Sequence, residues 1–263
     1  MSDLSDASPL LLTREGAIAT LTFNRPAALN AIDVPMAQAF LAAMRALSDD
    51  ASVRAVVMRG AGKAFVAGGD LPTLRADPAR GAADLLTPLN EAMLLMHGLN
   101  APVIAQVHGA AAGGGLSLML HADFVLAAEG TRFNLAYINL GTSCDVGASW
   151  FLPRLVGLRK ALEIALLGET FDAQEALHTG LINRVLPAGE LEAAVQALAR
   201  RLADGPTVAH GHMRRLMREG FQRDLAAQLA AEASAFNDCA HTADLPSGIA
   251  AFLDKQPARF QGR

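Results

Sequence analysis

Several residue types that mark common protein classes are scarce in this 263-residue sequence. Its two cysteines, Cys144 and Cys239, are too few for a disulfide framework, and this favours a reducing compartment. No apolar run approaches the ~20 residues that span a bilayer. The start of the chain, Met1-Ser2-Asp3-Leu4-Ser5-Asp6, is acidic and polar, unlike the basic start of a secretion signal. We therefore expect a cytoplasmic protein that does not enter a membrane.

An excess of charge of one sign is also missing. The 22 basic and 26 acidic side chains give a net charge of −4, which does not favour nucleic acid as a partner. The histidines lack the spacing of metal ligands, and the Gly62-Lys63 pair lacks the leading glycine of a phosphate-binding loop. We therefore expect neither a metal nor a nucleotide cofactor. Hydrophobic residues make up 52% of the chain, enough for a sizeable core.

Glycine, in contrast, is concentrated in two segments, Lys63–Asp70 and His108–Gly115. Each follows a short apolar run that predicts a buried strand, over Val53–Met58 and Val103–Val107. Glycine lets backbone N–H groups approach a ligand without interference from a Cβ atom. Two such turns side by side at strand ends can aim two N–H groups at one oxygen, which is the geometry of an oxyanion hole. The alternative is a pair of tight turns whose glycines serve only steric needs.

Apolar spacing predicts strands alternating with helices in the first part of the chain and mostly helices after residue 161. A hairpin over Leu10–Thr13 and Ala17–Phe23 opens the chain. Strands that alternate with helices indicate a parallel sheet, and ligands bind beyond the carboxyl ends of such strands, where both glycine segments fall. The predicted helices cover Val34–Leu47, Ala83–Leu99, Gly114–His121, Ala148–Val156, Ala161–Leu167, Ala173–Thr179, Leu191–Ala203, Val208–Arg218, Leu225–Phe236 and Ser247–Phe252, and further strands are predicted over Asp123–Ala127 and Asn183–Leu186.

The two glycine segments together resemble the signature of the crotonase (enoyl-CoA hydratase/isomerase) superfamily. The resemblance extends over nearly the whole chain, through the Asn24–Ala31 turn, Leu152–Gly157 and Gly180–Val185. It implies an α/β fold with a crotonase-type ββα spiral core in residues 1–200 and a helical C-terminal trimerisation region in residues 201–263. It also implies a homotrimer or a dimer of trimers.

On this resemblance, the oxyanion-hole amides belong to Gly69 and Gly114. Hydratases of the family have two glutamates beside the hole, and the matching positions here are Ser117 and Tyr137. Neither does carboxylate work near neutral pH, because serine does not ionise and free tyrosine titrates near ~10. The resemblance therefore argues against the two-glutamate hydratase mechanism and implies that Ser117 and Tyr137 line the substrate pocket.

One carboxylate, Asp145, stands in the segment Gly141–Gly147, where several isomerase-type members also have aspartate. The resemblance implies that it shuttles a proton from one substrate carbon to another beside the oxyanion hole. However, an aspartate just before a predicted helix, here Ala148–Val156, is also a favoured N-cap. The sequence leaves both hypotheses open, the proton shuttle and the helix cap.

The resemblance also implies which residues contact coenzyme A. They are Arg25, Ala28, Ala67, Asp70 and Leu71 near the first glycine segment, together with Lys255, which can reach CoA from a neighbouring subunit. Coenzyme A enters as part of the acyl-CoA substrate, and no separate cofactor is implied. The leading hypothesis is an enzyme that isomerises an enoyl-CoA or a ring-type acyl-CoA through an enolate. The alternatives are an enoyl-CoA hydratase, an acyl-CoA thioester hydrolase and a non-catalytic acyl-CoA binder.

Overall fold

The computed structural model describes residues 8–263, except for the side chain of Ala76, so the acidic start of the chain lies outside the described residues. The strands are β1 (Leu10–Glu15), β2 (Ile18–Phe23), β3 (Ala55–Gly60), β4 (Val103–Val107), β5 (Ala110–Ala112), β6 (Phe124–Ala128), β7 (Arg132–Asn134), β8 (Phe171–Asp172) and β9 (Arg184–Leu186). The α-helices are α1 (Val34–Ser48), α2 (Leu71–Ala76), α3 (Pro78–Gly98), α4 (Gly114–Met119), α5 (Ala148–Val156), α6 (Leu158–Leu167), α7 (Ala173–His178), α8 (Ala188–Ala203), α9 (Thr207–Glu219), α10 (Leu225–Ala240) and α11 (Asp244–Leu253).

A six-stranded sheet with the order β1-β2-β3-β4-β6-β9 forms the centre of the fold. The β1–β2 hairpin is antiparallel, with Leu10 opposite Phe23, and the pairs that follow it are parallel. Helices cover both faces of this sheet, as is usual for parallel strands. Val56 and Met58 face the large core cluster that contains the buried side chains of α1 and α3, whereas Val57 packs in a second cluster with α8. The predicted hairpin and the predicted parallel sheet are both confirmed.

Most predicted elements form, with shifts at their ends that have local causes. Helix α3 begins at Pro78 rather than at Ala83, because the Asp77 carboxylate accepts a hydrogen bond from the Arg80 backbone N–H at 3.1 Å and caps the earlier turn. Strand β3 begins at Ala55, slightly later than predicted. These shifts leave the glycine segments where the sequence puts them, at the ends of β3 and β4.

A second sheet, with the order β5-β7-β8, is not predicted by the sequence. Its strands are two or three residues long, too short to show an alternating pattern. Within it Ala111 pairs with Phe133, and Phe133 pairs with Phe171. A single bridge between Val66 and Ala111 connects the first glycine segment to this sheet. The second sheet therefore holds the two glycine segments against each other.

Helix α9 and the end of the chain lie at the opposite end of the large sheet from the glycine segments. Arg54, just before β3, donates hydrogen bonds to the carbonyl oxygens of Gly205 at 2.5 Å and Phe260 at 3.1 Å. Helix α8 still packs on the sheet, so the helical C-terminal part begins with α9. Within residues 8–263 no helix is both long and apolar enough to cross a bilayer.

Candidate active site

Within residues 8–263 the backbone N–H of Gly69 has no hydrogen-bond acceptor, because the residues on either side of it pair with Ile32 of the N-terminal turn. The carbonyl of Gly68 accepts from the Ile32 N–H at 2.8 Å, and the Asp70 N–H donates to the Ile32 carbonyl at 2.9 Å. These two bonds flank Gly69 on one side of the segment, so its own N–H points to the other side. Among the described residues it has no hydrogen-bond acceptor. Gly69 is only half-buried, so its surroundings are not closed off from solvent.

Gly114, on the second glycine segment, lies close to the Gly69 amide. Gly114 is the first residue of α4, where an N–H group has no partner within the helix. A Cβ atom placed on Gly114 would lie 3.9 Å from the Gly69 amide nitrogen. The close approach of the two segments requires glycine at the next position, since a Cβ on Gly115 would overlap the Val66 carbonyl oxygen. The fold thus brings the two glycines together at the end of the sheet.

Tyr137 reaches this point from the turn after β7. Its hydroxyl oxygen lies 3.8 Å from the position that a Cβ on Gly114 would take. The same oxygen is 2.9 Å from the Ser117 hydroxyl, which also donates weakly to the Gly113 carbonyl at 3.3 Å. The side chains of Ser117 and Tyr137 are both buried. These two positions, singled out in the sequence, are therefore in direct contact beside Gly114.

Asp145 joins the same group through Tyr137, whose hydroxyl donates a hydrogen bond to Oδ1 of the Asp145 carboxylate. Burial raises the pKa of Asp145 above its ordinary value, and the hydrogen bond from Tyr137 opposes this rise. Burial, followed by the Asp145 charge, also raises the pKa of Tyr137. Tyr137 is therefore a neutral donor, and Asp145 is the group of this cluster that titrates.

The helix-cap hypothesis for Asp145 is wrong. The N-cap of α5 is Gly147, and no side chain among the described residues caps this helix. The backbone carbonyl of Asp145 accepts from the Ala148 N–H at 3.1 Å, but the carboxylate turns away to Tyr137. The cause is the left-handed backbone at Val146 and Gly147, with φ of +47° and +74°, which separates the aspartate from the helix start.

The structure adds one residue that the sequence did not connect with the site. The ring of His121, just after α4, is buried, and its Nε2 lies 2.8 Å from the Val146 carbonyl oxygen. Burial lowers the pKa of His121 to about 4, so the ring is neutral near pH 7. The sequence gives no signal for this contact between His121 and Val146, because the contact depends on how the 141–147 segment folds back.

Comparison with known proteins identifies the family. A sequence profile of the family described as Enoyl-CoA hydratase/isomerase matches residues 13–263. The chain belongs to this family. A Rhodobacter capsulatus protein named "Probable enoyl-CoA hydratase" is 37% identical over 250 residues, which cover 94% of this chain and 95% of that protein. The 1,2-epoxyphenylacetyl-CoA isomerase of Escherichia coli is 34% identical over 253 residues, with 95% and 97% covered.

A solved structure of a family member has the same fold. The crystal structure of an enoyl-CoA hydratase from Polaromonas sp. JS666 matches with a TM-score of 0.90 and 33% identity, covering 96% of this chain and 99% of that one. The expected crotonase fold is confirmed, and with it membership of a family of acyl-CoA-processing enzymes. The relatives carry both hydratase and isomerase names, so their names do not distinguish the two activities.

The residues expected to contact CoA in this family surround the first glycine segment, with one exception. Ala67 donates its N–H to the Leu29 carbonyl at 3.1 Å, next to the half-buried Ala28, and Leu71 is exposed at the start of α2. The exception is Lys255, which lies on an exposed turn after α11. No hydrogen bond or ion pair among the described residues connects it to the glycine segments.

Arg25 has a structural role in this region. Its guanidinium pairs with the carboxylates of Asp33 at 3.1 Å and Asp70 at 3.2 Å, which cap helices α1 and α2. Burial opposes ionisation of Asp70, but hydrogen bonds from Thr73 and Arg25 outweigh it and hold the pKa of Asp70 below its ordinary value. Arg25 thus connects the N-terminal turn to the loop that carries Gly69.

Proposed function

We propose that this family member isomerises an acyl-CoA thioester through an enolate. In this proposal the Gly69 and Gly114 amides bind the thioester oxygen, and Asp145 moves the proton. One observation carries it: the Asp145 carboxylate is bound by Tyr137, and the Tyr137 hydroxyl lies beside the two glycines. The carboxylate and the unpaired amides therefore belong to one cluster.

The chemistry follows from where charge develops. When a carbon next to a thioester carbonyl loses a proton, the carbonyl oxygen gains negative charge, and two preorganised N–H donors stabilise it. The ionised Asp145 takes that proton and, as the neutral acid, returns it to another carbon of the same molecule. The double bond or ring of the acyl group rearranges, the substrate and product have equal mass, and the carboxylate is restored.

Isomerisation suits these residues better than hydration. Addition of water needs one group that activates water and another that protonates carbon. By family resemblance, Ser117 and Tyr137 stand where hydratases have carboxylates, and the pKa of Tyr137 is raised rather than lowered. A single titrating carboxylate is sufficient for moving a proton between two carbons.

We further propose that the chain assembles as a homotrimer or a dimer of trimers, with Lys255 serving the CoA site of a neighbouring copy. In helix α10 the buried residue is Ala235, and large apolar side chains of the C-terminal part are exposed. These include Phe221, Leu225, Leu229, Phe236, Phe252 and Leu253. Exposed apolar area of this kind is typical of subunit contacts. Sedimentation as a stable monomer at micromolar concentration would contradict the assembly.

A panel of CoA thioesters analysed by mass spectrometry tests the activity. A product of unchanged mass with a shifted double bond or ring is expected; gain of water would indicate a hydratase, and release of free CoA a hydrolase. Asp145→Asn keeps the shape of the side chain but removes the base, so turnover should fall at least ~10²-fold. Asp204→Asn, at an exposed position after α8, is the control. Equal turnover in both variants would remove Asp145 from the mechanism.

A further inference from the structure

The tautomer of the buried His121 ring follows from its partner. The ring is neutral, so one of its two nitrogens carries a proton. A carbonyl oxygen only accepts, and Nε2 lies 2.8 Å from the Val146 carbonyl, so the N–H is at Nε2. The other nitrogen, Nδ1, has no partner among the described residues. The single hydrogen bond that this buried ring makes is therefore directed at the residue next to Asp145.

The backbone conformation of Val146 is unusual for a valine. The residue has a left-handed backbone with φ of +47°, a conformation that β-branched residues rarely adopt. Such strained backbone persists only where surrounding structure enforces it. Here the carbonyl of the strained residue is the atom that His121 binds. If the peptide turned to a relaxed conformation, the His121–Val146 bond would break and the Asp145 backbone would rotate with it.

The packing around the ring gives it little room to move. A Cβ atom on Gly147 would lie 3.0 Å from Nε2 of His121, so the ring lies directly against that glycine. On another side the ring of Phe151 is 4.4 Å away between centroids. The Arg218 guanidinium donates to the His121 backbone carbonyl at 2.9 Å. Phe151 and Arg218, which both lie outside the 145–147 segment, thus help to fix the position of the His121 ring.

We infer that His121 is a positioning residue: its Nε2–H holds the strained Val146 peptide and so aims the Asp145 carboxylate at Tyr137. The effect of His121 on catalysis rests on the proposed function, whereas its effect on the position of the Asp145 carboxylate does not. His121 itself does not contact the Gly69–Gly114 amides, and it acts through the 145–147 backbone.

The chain offers a direct readout, because Tyr137 is its only tyrosine. Protein labelled with ¹³C at the hydroxyl-bearing ring carbon of tyrosine gives one NMR signal, whose shift reports the hydrogen bond to Asp145. Asp145→Asn sets the reference for loss of the carboxylate. We expect His121→Leu, which removes the donor, to move the signal most of the way to this reference. His121→Gln, which retains a side-chain N–H, should stay near the wild-type position.

Two further variants separate positioning from packing. His97→Leu removes another half-buried ring that contacts α5 through Trp150 but does not touch Val146, and it should leave the tyrosine signal unchanged. Val146→Gly makes the left-handed backbone unstrained, since glycine adopts it readily. The double variant His121→Leu/Val146→Gly should therefore recover part of the wild-type signal, and it also serves if His121→Leu alone does not fold.

Kinetics provide the second readout. If the proposed isomerase activity is found, His121→Leu should lower kcat ~10-fold or more while KM changes less than ~3-fold, and His121→Gln should restore most of kcat. An unchanged tyrosine signal in His121→Leu, or a double variant no closer to wild type than His121→Leu, would overturn the inference. Absence of isomerase activity would overturn the proposed function and leave the NMR result to decide the role of His121.

Discussion

The Tyr137 hydroxyl binds Oδ1 of Asp145, and no other hydrogen bond among the described residues reaches that carboxylate. Oδ2 is consequently free of hydrogen bonds from the described residues, and in the proposed mechanism it is the oxygen that takes the proton. Because Tyr137 also contacts Ser117 at 2.9 Å, the carboxylate is held by a chain of two hydroxyls that begins on helix α4. Ser117 and Tyr137, which the family resemblance matches to the two hydratase glutamates, thus form a hydroxyl chain that ends on the Asp145 carboxylate.

Tyr137→Phe tests this relationship through the pH dependence of catalysis. The hydrogen bond stabilises the ionised form of Asp145 and opposes the effect of burial, so its loss should raise the pKa of Asp145 further. In the proposed mechanism Asp145 must be ionised to accept the proton. The acidic limb of the kcat/KM profile should therefore move to higher pH, and activity near pH ~7 should fall several-fold.

Ser117→Ala is the matched control for Tyr137→Phe. It removes the other partner of the Tyr137 hydroxyl but leaves the bond to Asp145, so the acidic limb should shift less. The measurement is initial rate against pH for both variants and the wild type. Coincident acidic limbs in the wild type and Tyr137→Phe would mean that the hydroxyl does not tune Asp145.

The stability of Asp145→Asn should depend on pH in a direction set by burial. Burial raises the folded-state pKa of Asp145. At low pH the carboxyl is protonated in both the folded and the unfolded protein, so it does not lower the free energy of unfolding there. As pH rises through the raised pKa, the folded protein loses stability relative to the unfolded chain. Asparagine does not ionise and avoids this loss. The Tm of Asp145→Asn should exceed that of the wild type by ~2 °C or more near pH ~8, and the two should converge near pH ~3, below the unfolded-state pKa of aspartate.

The two adjacent glycines at the start of α4 should respond differently to alanine. At Gly114 a methyl group meets only atoms at 3.8 Å or beyond, but it would occupy the space between the Gly69 amide and the Tyr137 hydroxyl. At Gly115 it would overlap the Val66 carbonyl oxygen. Gly114→Ala should fold with nearly unchanged Tm and lose ~10²-fold or more in kcat/KM. Gly115→Ala should lose stability by about 2 kcal/mol or more.

Thermal unfolding and kinetics of both glycine variants distinguish the outcomes. Gly98→Ala is a suitable control, because a methyl group there meets nothing within 4 Å and Gly98 ends helix α3. Full activity in Gly114→Ala would show that no substrate atom uses the space beside Gly69. Unchanged stability in Gly115→Ala would mean that the contact between the two glycine segments is looser than it is in the structure.

Features with a local or periodic cause could be predicted from the sequence. Helix α1 forms close to its predicted bounds because its apolar residues repeat at helical spacing and Asp33 caps its first turn. The short strands of the second sheet are set by contacts between distant segments and have no pattern of their own. The direction of the Asp145 side chain likewise depends on the left-handed backbone at Val146 and on His121, neither of which a propensity predicts.

Asn30 provides a test of what holds the first glycine segment in place. This fully buried side chain donates from Nδ2 to the carbonyl oxygens of Ala61, Ala64 and Phe65, at 2.9, 2.8 and 3.1 Å. Its Oδ1 accepts from the Arg25 N–H at 2.9 Å, and its own backbone is left-handed with φ of +59°. Asparagine tolerates that conformation, and its amide contacts four backbone groups at once: Oδ1 accepts one N–H, and the two Nδ2 hydrogens are shared among three carbonyl oxygens.

Replacing Asn30 separates these two contributions. Asn30→Gly keeps the left-handed backbone and removes the hydrogen bonds, so it should lower the free energy of unfolding by about 2–3 kcal/mol. Asn30→Ala should cost about 1 kcal/mol more, because alanine also pays for the left-handed conformation. Urea unfolding measures both. The freed loop should also weaken acyl-CoA binding, since residues 61–65 lead into Ala67 and Gly69. If Asn30→Gly unfolds at the wild-type urea concentration, the amide does not anchor this loop, and Arg25 with its two carboxylates must hold the glycine segment instead.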